Sequence, residues 1–276
     1  PAMRGILRGF VLLFLLHMAS PAAAEKRVAL VIGNAAYANA PRLANPANDA
    51  SAMAELLRKA GFDVVEARND LGANAMRRLL REFSDVLRDT DVALVFYAGH
   101  GMEVNGVNYL IPVDAVIARD VDVEDEAVSL DRIMRTIEPA RRLQLVILDS
   151  CRDNPFVRSM KRTFTSRSVS SGHGDIDEKA LPRNTLIAYA QKSGLTADDG
   201  SGSNSPYTTA LLKHLAVHGL DIELALRRVR DEVLRATKSR QEPFKYGSLG
   251  GAELPLVAAP RPPESGVGST PDLPAA

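Results

Sequence analysis

Short apolar runs alternate along the chain with segments in which apolar residues recur at helical spacing. The continuous runs at 28–32, 92–97 and 143–148 are typical of parallel strands that are buried on both faces. Weaker strand patterns occur at 62–66 and 185–190, and Asn105-Gly106 predicts a β-hairpin after the run at 92–97. Helical periodicity predicts helices at about 49–60, 74–88, 129–138, 206–218 and 221–237. This alternation predicts an α/β domain with a mostly parallel central sheet and helices on both faces.

The amino-terminal residues have the three-part plan of a secretory signal. Arg4 and Arg8 form a basic region, residues 10–18 are almost wholly apolar, and residues 22–24 are small alanines suited to cleavage. We expect residues 1–24 to be removed and the mature protein to be periplasmic or secreted, with no stable membrane anchor. An uncleaved signal anchor is the less favoured alternative, since a membrane span needs about 20 apolar residues.

Composition and charge narrow the class of protein. The chain has 34 basic and 34 acidic side chains, and its formal net charge is zero, which argues against a nucleic-acid binder. The hydrophobic content of 46% is that of an ordinary soluble globular protein. Residues 258–276 are rich in Pro, Ala, Gly and Ser, so this tail is expected to be disordered.

Reactive side chains follow two of the predicted strands directly. Gly99-His100-Gly101 comes after the run at 92–97, and Asp149-Ser150-Cys151 comes after the run at 143–148. Sites in open parallel sheets form beyond the carboxyl ends of the strands, so these two segments are expected to share one rim. An imidazole beside a thiol favours the reactive thiolate, which makes His100 and Cys151 a candidate catalytic pair.

Each member of this pair also has a structural explanation when taken alone. Cys151 is the only cysteine in the chain, and an isolated cysteine is often a small buried residue. A histidine is often a satisfied structural residue, but the placement of both side chains at strand ends favours catalysis. Ser150 is a poor nucleophile candidate because the chain has no G-x-S-x-G sequence.

The sequences YAGHG at 97–101 and LVILDSCRDNPF at 145–156 resemble the histidine and cysteine motifs of caspase-like cysteine peptidases. These peptidases form family C14 of clan CD, and the resemblance is to the bacterial metacaspase-like, or orthocaspase, branch. The interval between His100 and Cys151 fits the spacing of about 50 residues in the caspase signature. The segments that begin VALVIGNAAY and AYAQKSGLT are also similar, so the resemblance extends from about residue 26 to 249.

The resemblance implies a caspase-like three-layer sandwich in a peptidase domain at 25–250. Within that domain it implies a p20-like part at 25–155, a loop at 156–183 and a p10-like part at 184–250. The loop contains basic residues at which an enzyme that cuts after Arg or Lys could process itself. A solvated loop is the alternative. These basic residues are Arg158, Lys161, Arg162, Arg167 and Lys179.

The resemblance also implies roles for individual residues in the hydrolysis of peptide bonds. Cys151 would attack the scissile carbonyl, and His100 would protonate the leaving amine. The backbone N–H groups of Gly101 and Cys151 would bind the oxyanion. No third triad member is assigned, because the relatives do not depend on an Asp to orient the histidine. The expected partner is a peptide or protein substrate, and the enzyme is expected to be a monomer.

Two acidic residues match pocket positions of metacaspase-like relatives that cut after Arg or Lys. Asp49 and Asp149 would form a substrate-binding pocket, since paired carboxylates suit the two-pronged hydrogen bonding of a guanidinium. The pattern predicts cleavage after Arg or Lys and none after Asp. For Asp49 there is an alternative interpretation, because this residue also stands where it could cap the helix predicted at 49–60.

No cofactor is assigned from the sequence, and the resemblance leaves calcium open because some metacaspases depend on it. The acidic run at 120–126 does not match their ligand pattern and is typical of a solvated face. His214 and His218 have a spacing found in metal sites, but no third ligand accompanies them, which favours a pair on a helix surface.

Two rival functions remain open on the sequence alone. A catalytically silent caspase-like module that binds peptides or partner proteins would have the same motifs. A flavodoxin-like binding domain would have the same alternation of strands and helices. Because reactive residues follow two of the strands, the sequence favours an endopeptidase over both rivals.

Overall fold

A computed structural model describes residues 25–151, 156, 169–171, 181–191 and 202–260 of the chain. The predicted secretory signal, the basic residues at which we predict processing, and the tail beyond residue 260 lie outside the described residues. In the described part of the chain, no helix combines the length and the apolar character needed to cross a membrane.

The predicted strands and helices occur in the predicted order, and short elements at 123–126, 128–129, 169–171 and 244–248 occur in addition. The strands are β1 (Arg27–Gly33), β2 (Val64–Asn69), β3 (Val92–Val104), β4 (Val107–Leu110), β5 (Val128–Ser129), β6 (Leu143–Cys151), β7 (Val169–Ser171), β8 (Thr185–Tyr189) and β9 (Phe244–Ser248). The helices are α1 (Pro46–Lys59), α2 (Ala73–Val86), α3 (Val123–Glu126), α4 (Leu130–Ile137), α5 (Pro206–His214) and α6 (Ile222–Ala236).

The central sheet has the strand order β2-β1-β3-β6-β8-β9. The first five of these strands are parallel, and β9 is antiparallel to β8 at one edge. The carboxyl part of β3 forms antiparallel pairs with β4 and β7, and β5 pairs with β4. This arrangement confirms the predicted α/β class with a mostly parallel sheet.

Helices cover both faces of the sheet, because successive side chains of a strand point to opposite faces. In β3, Phe96 packs in the core formed with α1, α5 and α6, whereas Val95 packs in the core formed with α2 and α4. Both side chains are fully buried. The three layers therefore match the predicted sandwich.

The two strands that hold the candidate pair are longer than their apolar runs predict. Pairing between β3 and β6 continues beyond Tyr97 and Leu148 as far as His100 and Cys151. Apolar runs mark the buried part of a strand, whereas backbone pairing continues through polar residues and glycines. His100 and Cys151 therefore lie inside paired strands, and the prediction that they follow the strands is wrong.

The turn between β3 and β4 confirms the hairpin predicted from Asn105-Gly106. Both residues have positive φ angles, 55° and 79°, as the tight two-residue turn of a hairpin requires. The hairpin continues directly from the strand that holds His100, since Gly101 pairs with Leu110.

Helix α1 begins earlier than the sequence pattern predicts. Asn45 is the N-cap and Pro46 takes the first helical position, where its missing N–H costs nothing. Asp49 lies one turn inside the helix and is buried. The interpretation of Asp49 as the N-cap is therefore wrong.

A buried arginine joins the first strand to the last described segment at the amino edge of the sheet. Arg27 donates hydrogen bonds to the carbonyl groups of Ala60 and Leu256, and its guanidinium lies 4.4 Å from the ring centre of Phe62. Burial lowers the pKa of Arg27, and the nearby carboxylates of Glu25 and Asp63 oppose this change.

Candidate active site

The two candidate catalytic residues are direct neighbours across the sheet. His100 of β3 and Cys151 of β6 are register partners in a parallel pair. Neighbouring strands lie about 4.8 Å apart, so the two backbones are as close as a sheet allows. The next residue, Gly101, begins the pairing with β4. The fold thus brings the backbone positions of all three predicted residues to one rim.

The imidazole of His100 is held by a backbone carbonyl that the sequence did not indicate. Its Nε2 lies 2.9 Å from the carbonyl oxygen of Pro41, and the residue is 4% exposed. A carbonyl can only accept a hydrogen bond, so Nε2 must hold the hydrogen. In the neutral ring, Nδ1 is therefore the basic nitrogen.

Two buried tyrosines fix the backbone on both sides of this histidine. The N–H of His100 donates to the hydroxyl of Tyr37 at 2.8 Å, and the hydroxyl of Tyr97 donates to the carbonyl of His100 at 2.8 Å. The hydroxyl oxygens lie 3.2 Å apart. The ring of Tyr37 also packs against the imidazole, with 4.4 Å between the ring centres.

Gly99 allows these tyrosines to approach the strand. A Cβ atom at this position would lie 2.7 Å from the hydroxyl oxygens of both Tyr37 and Tyr97, and the residue has a φ of +153°. Any side chain here would overlap the two hydroxyl groups. The first glycine of the GHG sequence is therefore explained by close packing.

The loop that supplies Tyr37 and Pro41 is braced by polar side chains. Asp70 accepts hydrogen bonds from the N–H groups of Ala35 and Ala36, both at 2.8 Å. The side chain of Asn34 accepts from the N–H of Leu71 at 2.9 Å. This bracing holds the loop against the end of β3, where it can position His100.

The two predicted pocket acids also come together. Asp49 of α1 is 2% exposed and Asp149 of β6 is 8% exposed. Asp49 accepts hydrogen bonds from Asn204 Nδ2 at 2.9 Å and from the N–H of Ser205 at 3.0 Å. Asp149 accepts from the hydroxyls of Ser205 and Thr208, the latter at 2.6 Å. Both carboxylates therefore meet at the start of α5.

The two histidines that had the spacing of a metal site contact different partners. His214 at the end of α5 contacts Glu232 of α6, with 2.5 Å between Nε2 and Oε2. His218 lies beyond α5 and contacts the carbonyl of Ala258. Among the residues that the structure describes, no group of three His, Cys, Asp or Glu side chains could hold a metal ion.

The acidic run at 120–126 is only partly the solvated face that its composition predicts. Glu124 and Asp125 are exposed. Asp120 is 1% exposed, however, because the short helical turn Asp120–Asp122 turns it inward. Asp122 pairs with Arg119 and has a lowered pKa, chiefly because of the hydrogen bond from that guanidinium.

Comparison with known proteins identifies the family to which this fold belongs. Residues 26–251 match the family model of the peptidase C14 caspase domain, so the chain belongs to that family and has the caspase-like fold. At the level of the family, it is a protease-type enzyme.

Two curated mammalian proteins are similar to the chain. The first is mucosa-associated lymphoid tissue lymphoma translocation protein 1 of Homo sapiens, which is 34% identical over 130 residues. This match covers 47% of the chain and 15% of the human protein. The second is its Mus musculus homolog, 33% identical over 223 residues, which cover 79% of the chain and 25% of the mouse protein. The chain thus matches a minor part of each relative.

Proposed function

We propose that the chain is a cysteine endopeptidase in which Cys151 is the nucleophile and His100 is the general acid and base. The observation that carries this proposal is the register of β3 and β6, which makes the two residues direct partners. Membership of the caspase domain family supports the same reaction class.

The contacts of His100 are suited to the proton transfers that this reaction needs. In the proposed cycle, Nδ1 takes the thiol proton while the sulfur attacks the scissile carbonyl, and the N–H groups of Gly101 and Cys151 bind the oxyanion. The imidazolium then protonates the leaving amine, and a thioester remains on Cys151. Water hydrolyses the thioester and restores the thiol. The carbonyl of Pro41 stabilises the imidazolium by accepting its Nε2 hydrogen.

We further propose that the enzyme cuts after Arg or Lys. Asp49 and Asp149 are both buried, and both accept hydrogen bonds from residues at the start of α5. Two carboxylates near one rim favour a cationic side chain and repel an acidic one.

A peptide panel tests the reaction and its specificity together. We expect cleavage of fluorogenic peptides with Arg or Lys before the cut and none with Asp, measured with calcium and with a chelator. Covalent labelling by an Arg-chloromethylketone, followed by intact mass, should disappear in Cys151→Ala. A preference for Asp would contradict the acidic pocket. The absence of both cleavage and labelling would favour a silent peptide-binding module.

The contact between Tyr37 and His100 gives a second expected result. Tyr37→Phe removes the hydroxyl that accepts from the His100 N–H but keeps the ring beside the imidazole. Losing one such hydrogen bond should lower kcat/KM by about three- to tenfold, mainly through kcat. Steady-state kinetics measure this, with Tyr246→Phe on the edge strand β9 as the matched loss of a hydroxyl. Equal effects of the two variants would contradict a positioning role for Tyr37.

A further inference from the structure

One serine connects the two acidic residues of the proposed pocket. The backbone N–H of Ser205 donates to Asp49, and the hydroxyl of the same residue donates to Asp149. Asp49 belongs to α1 and Asp149 to β6, so these carboxylates come from parts of the chain that are far apart in sequence. Ser205 is 3% exposed and contacts both.

We propose that Ser205 is a positioning residue for substrate specificity, which holds the carboxylates of Asp49 and Asp149 in the arrangement that binds an Arg or Lys side chain. This inference rests on the proposed function, and it adds a residue from the second half of the chain that determines substrate specificity. Ser205 itself does not touch the substrate in this arrangement.

The hydrogen bonds of Ser205 fix the direction in which its hydroxyl points. Its oxygen is the N-cap of α5 and accepts from the N–H of Thr208 at 2.9 Å. A hydroxyl has one hydrogen, and the cap occupies a lone pair, so that hydrogen is directed to Asp149. The cap and the carboxylate thus hold the serine in a single orientation.

In each carboxylate, one oxygen accepts two hydrogen bonds. Oδ2 of Asp149 accepts from Ser205 and Thr208, and Oδ1 of Asp49 accepts from Asn204 and Ser205. Two donors on one oxygen fix the plane of a carboxylate and therefore the direction of its second oxygen. A guanidinium binds best to carboxylates in such fixed planes, because its N–H groups form a rigid fork.

The start of α5 also suits two negative charges. Unpaired N–H groups at a helix amino terminus stabilise nearby anions, and α5 has nine residues. The charge of Asp149 acts on its surroundings, since burial first and Asp149 second raise the pKa of the fully buried Tyr207. Tyr207 therefore stays neutral.

Direct binding of a cationic probe separates this inference from catalysis. In a Cys151→Ala background, we expect 4-aminobenzamidine to bind with a fluorescence change, and Ser205→Ala to weaken that binding by about tenfold. Asp149→Asn should remove most of the binding. Ser205→Thr keeps a hydroxyl and should restore binding toward the parent value. Thermal unfolding of each variant confirms that the protein is folded.

The chain offers a matched control for the loss of a helix cap. Ser129 is the N-cap of α4, where it accepts from the N–H of Arg132 at 3.3 Å, and no described contact joins it to Asp49 or Asp149. Ser129→Ala should lower stability as a lost cap does but leave amidine binding unchanged. Equal weakening of binding by both serine variants would overturn the proposal.

Kinetics of the active enzyme provide a second readout. Ser205→Ala should raise KM for Arg peptides by about tenfold and change kcat less, since the nucleophile and its base are untouched. If Ser205→Ala binds amidine and Arg peptides like its parent while Asp149→Asn does not, this inference fails and the proposed pocket stands. If the Cys151→Ala parent does not bind amidine at all, the pocket and the inference both fail.

Discussion

Replacing His100 by alanine is expected to lower kcat/KM for peptide cleavage by about 1,000- to 10,000-fold, while the protein stays folded. The substitution removes both the base that takes the thiol proton and the acid that protonates the leaving amine. It leaves the proposed oxyanion donors, which are backbone groups of Gly101 and Cys151. A residual rate should remain, because a thiol is partly ionised near neutral pH even without a base.

The pH dependence of this variant provides a more specific test than its rate alone. The parent enzyme should show a bell-shaped profile of kcat/KM, since Cys151 and His100 must hold one proton between them, which attack by the sulfur leaves on the imidazole for the leaving amine. In His100→Ala the alkaline limb should disappear, since no imidazolium is left to lose its proton, and the residual rate should increase with pH as the thiolate fraction grows. His218→Ala removes a histidine beyond α5 and should leave the profile unchanged. A residual rate within tenfold of the parent would contradict a catalytic role for His100.

Replacing Gly99 by alanine is expected to lower the free energy of unfolding by about 2–4 kcal/mol. The added Cβ would lie 2.7 Å from the hydroxyl oxygens of both Tyr37 and Tyr97, which are almost fully buried. The packing around them leaves little room for a shift, and a φ of +153° adds backbone strain for any residue other than glycine. Because both hydroxyls bind the backbone of His100, activity should fall more than stability alone predicts.

Substitution of a second glycine measures the cost of backbone strain without the cost of steric overlap. Gly61 has a φ of +82°, and nothing lies within 4 Å of a Cβ built there. Gly61→Ala should therefore lower the free energy of unfolding by about 1 kcal/mol, because only the preference of glycine for a positive φ is lost. Urea unfolding of both variants measures the difference. If Gly99→Ala is no less stable than Gly61→Ala, then Tyr37 and Tyr97 can move to accommodate the methyl group, which would contradict tight packing at Gly99.

The sequence predicted the parts of the fold that depend on local patterns. Buried parallel strands are continuous apolar runs, and the Asn105-Gly106 turn has a conformation that few other residue pairs adopt. The rim could be predicted for a related reason, since ligands bind where parallel strands end. These features each depend on neighbouring residues, so they can be recognised without knowledge of the tertiary structure.

The contacts that orient the site could not be predicted in this way. Any residue can supply a backbone carbonyl like that of Pro41, so the sequence does not mark it. Tyr37 and Ser205 are ordinary residues whose partners lie far away along the chain. Pro46 is the exception, because a proline favours the first helical position and therefore indicates that α1 begins before Asp49.

The attachment of Arg27 to the carbonyl of Leu256 has a practical consequence for protein engineering. It places the first strand and the last described segment side by side at the amino edge of the sheet, whereas His100 and Cys151 lie at the carboxyl edge. A short linker could therefore join these two segments, and new termini could be opened at the exposed turn of Asn105-Gly106. Fluorescent or affinity fusions attached directly to these two segments would leave from the side of the domain away from the rim.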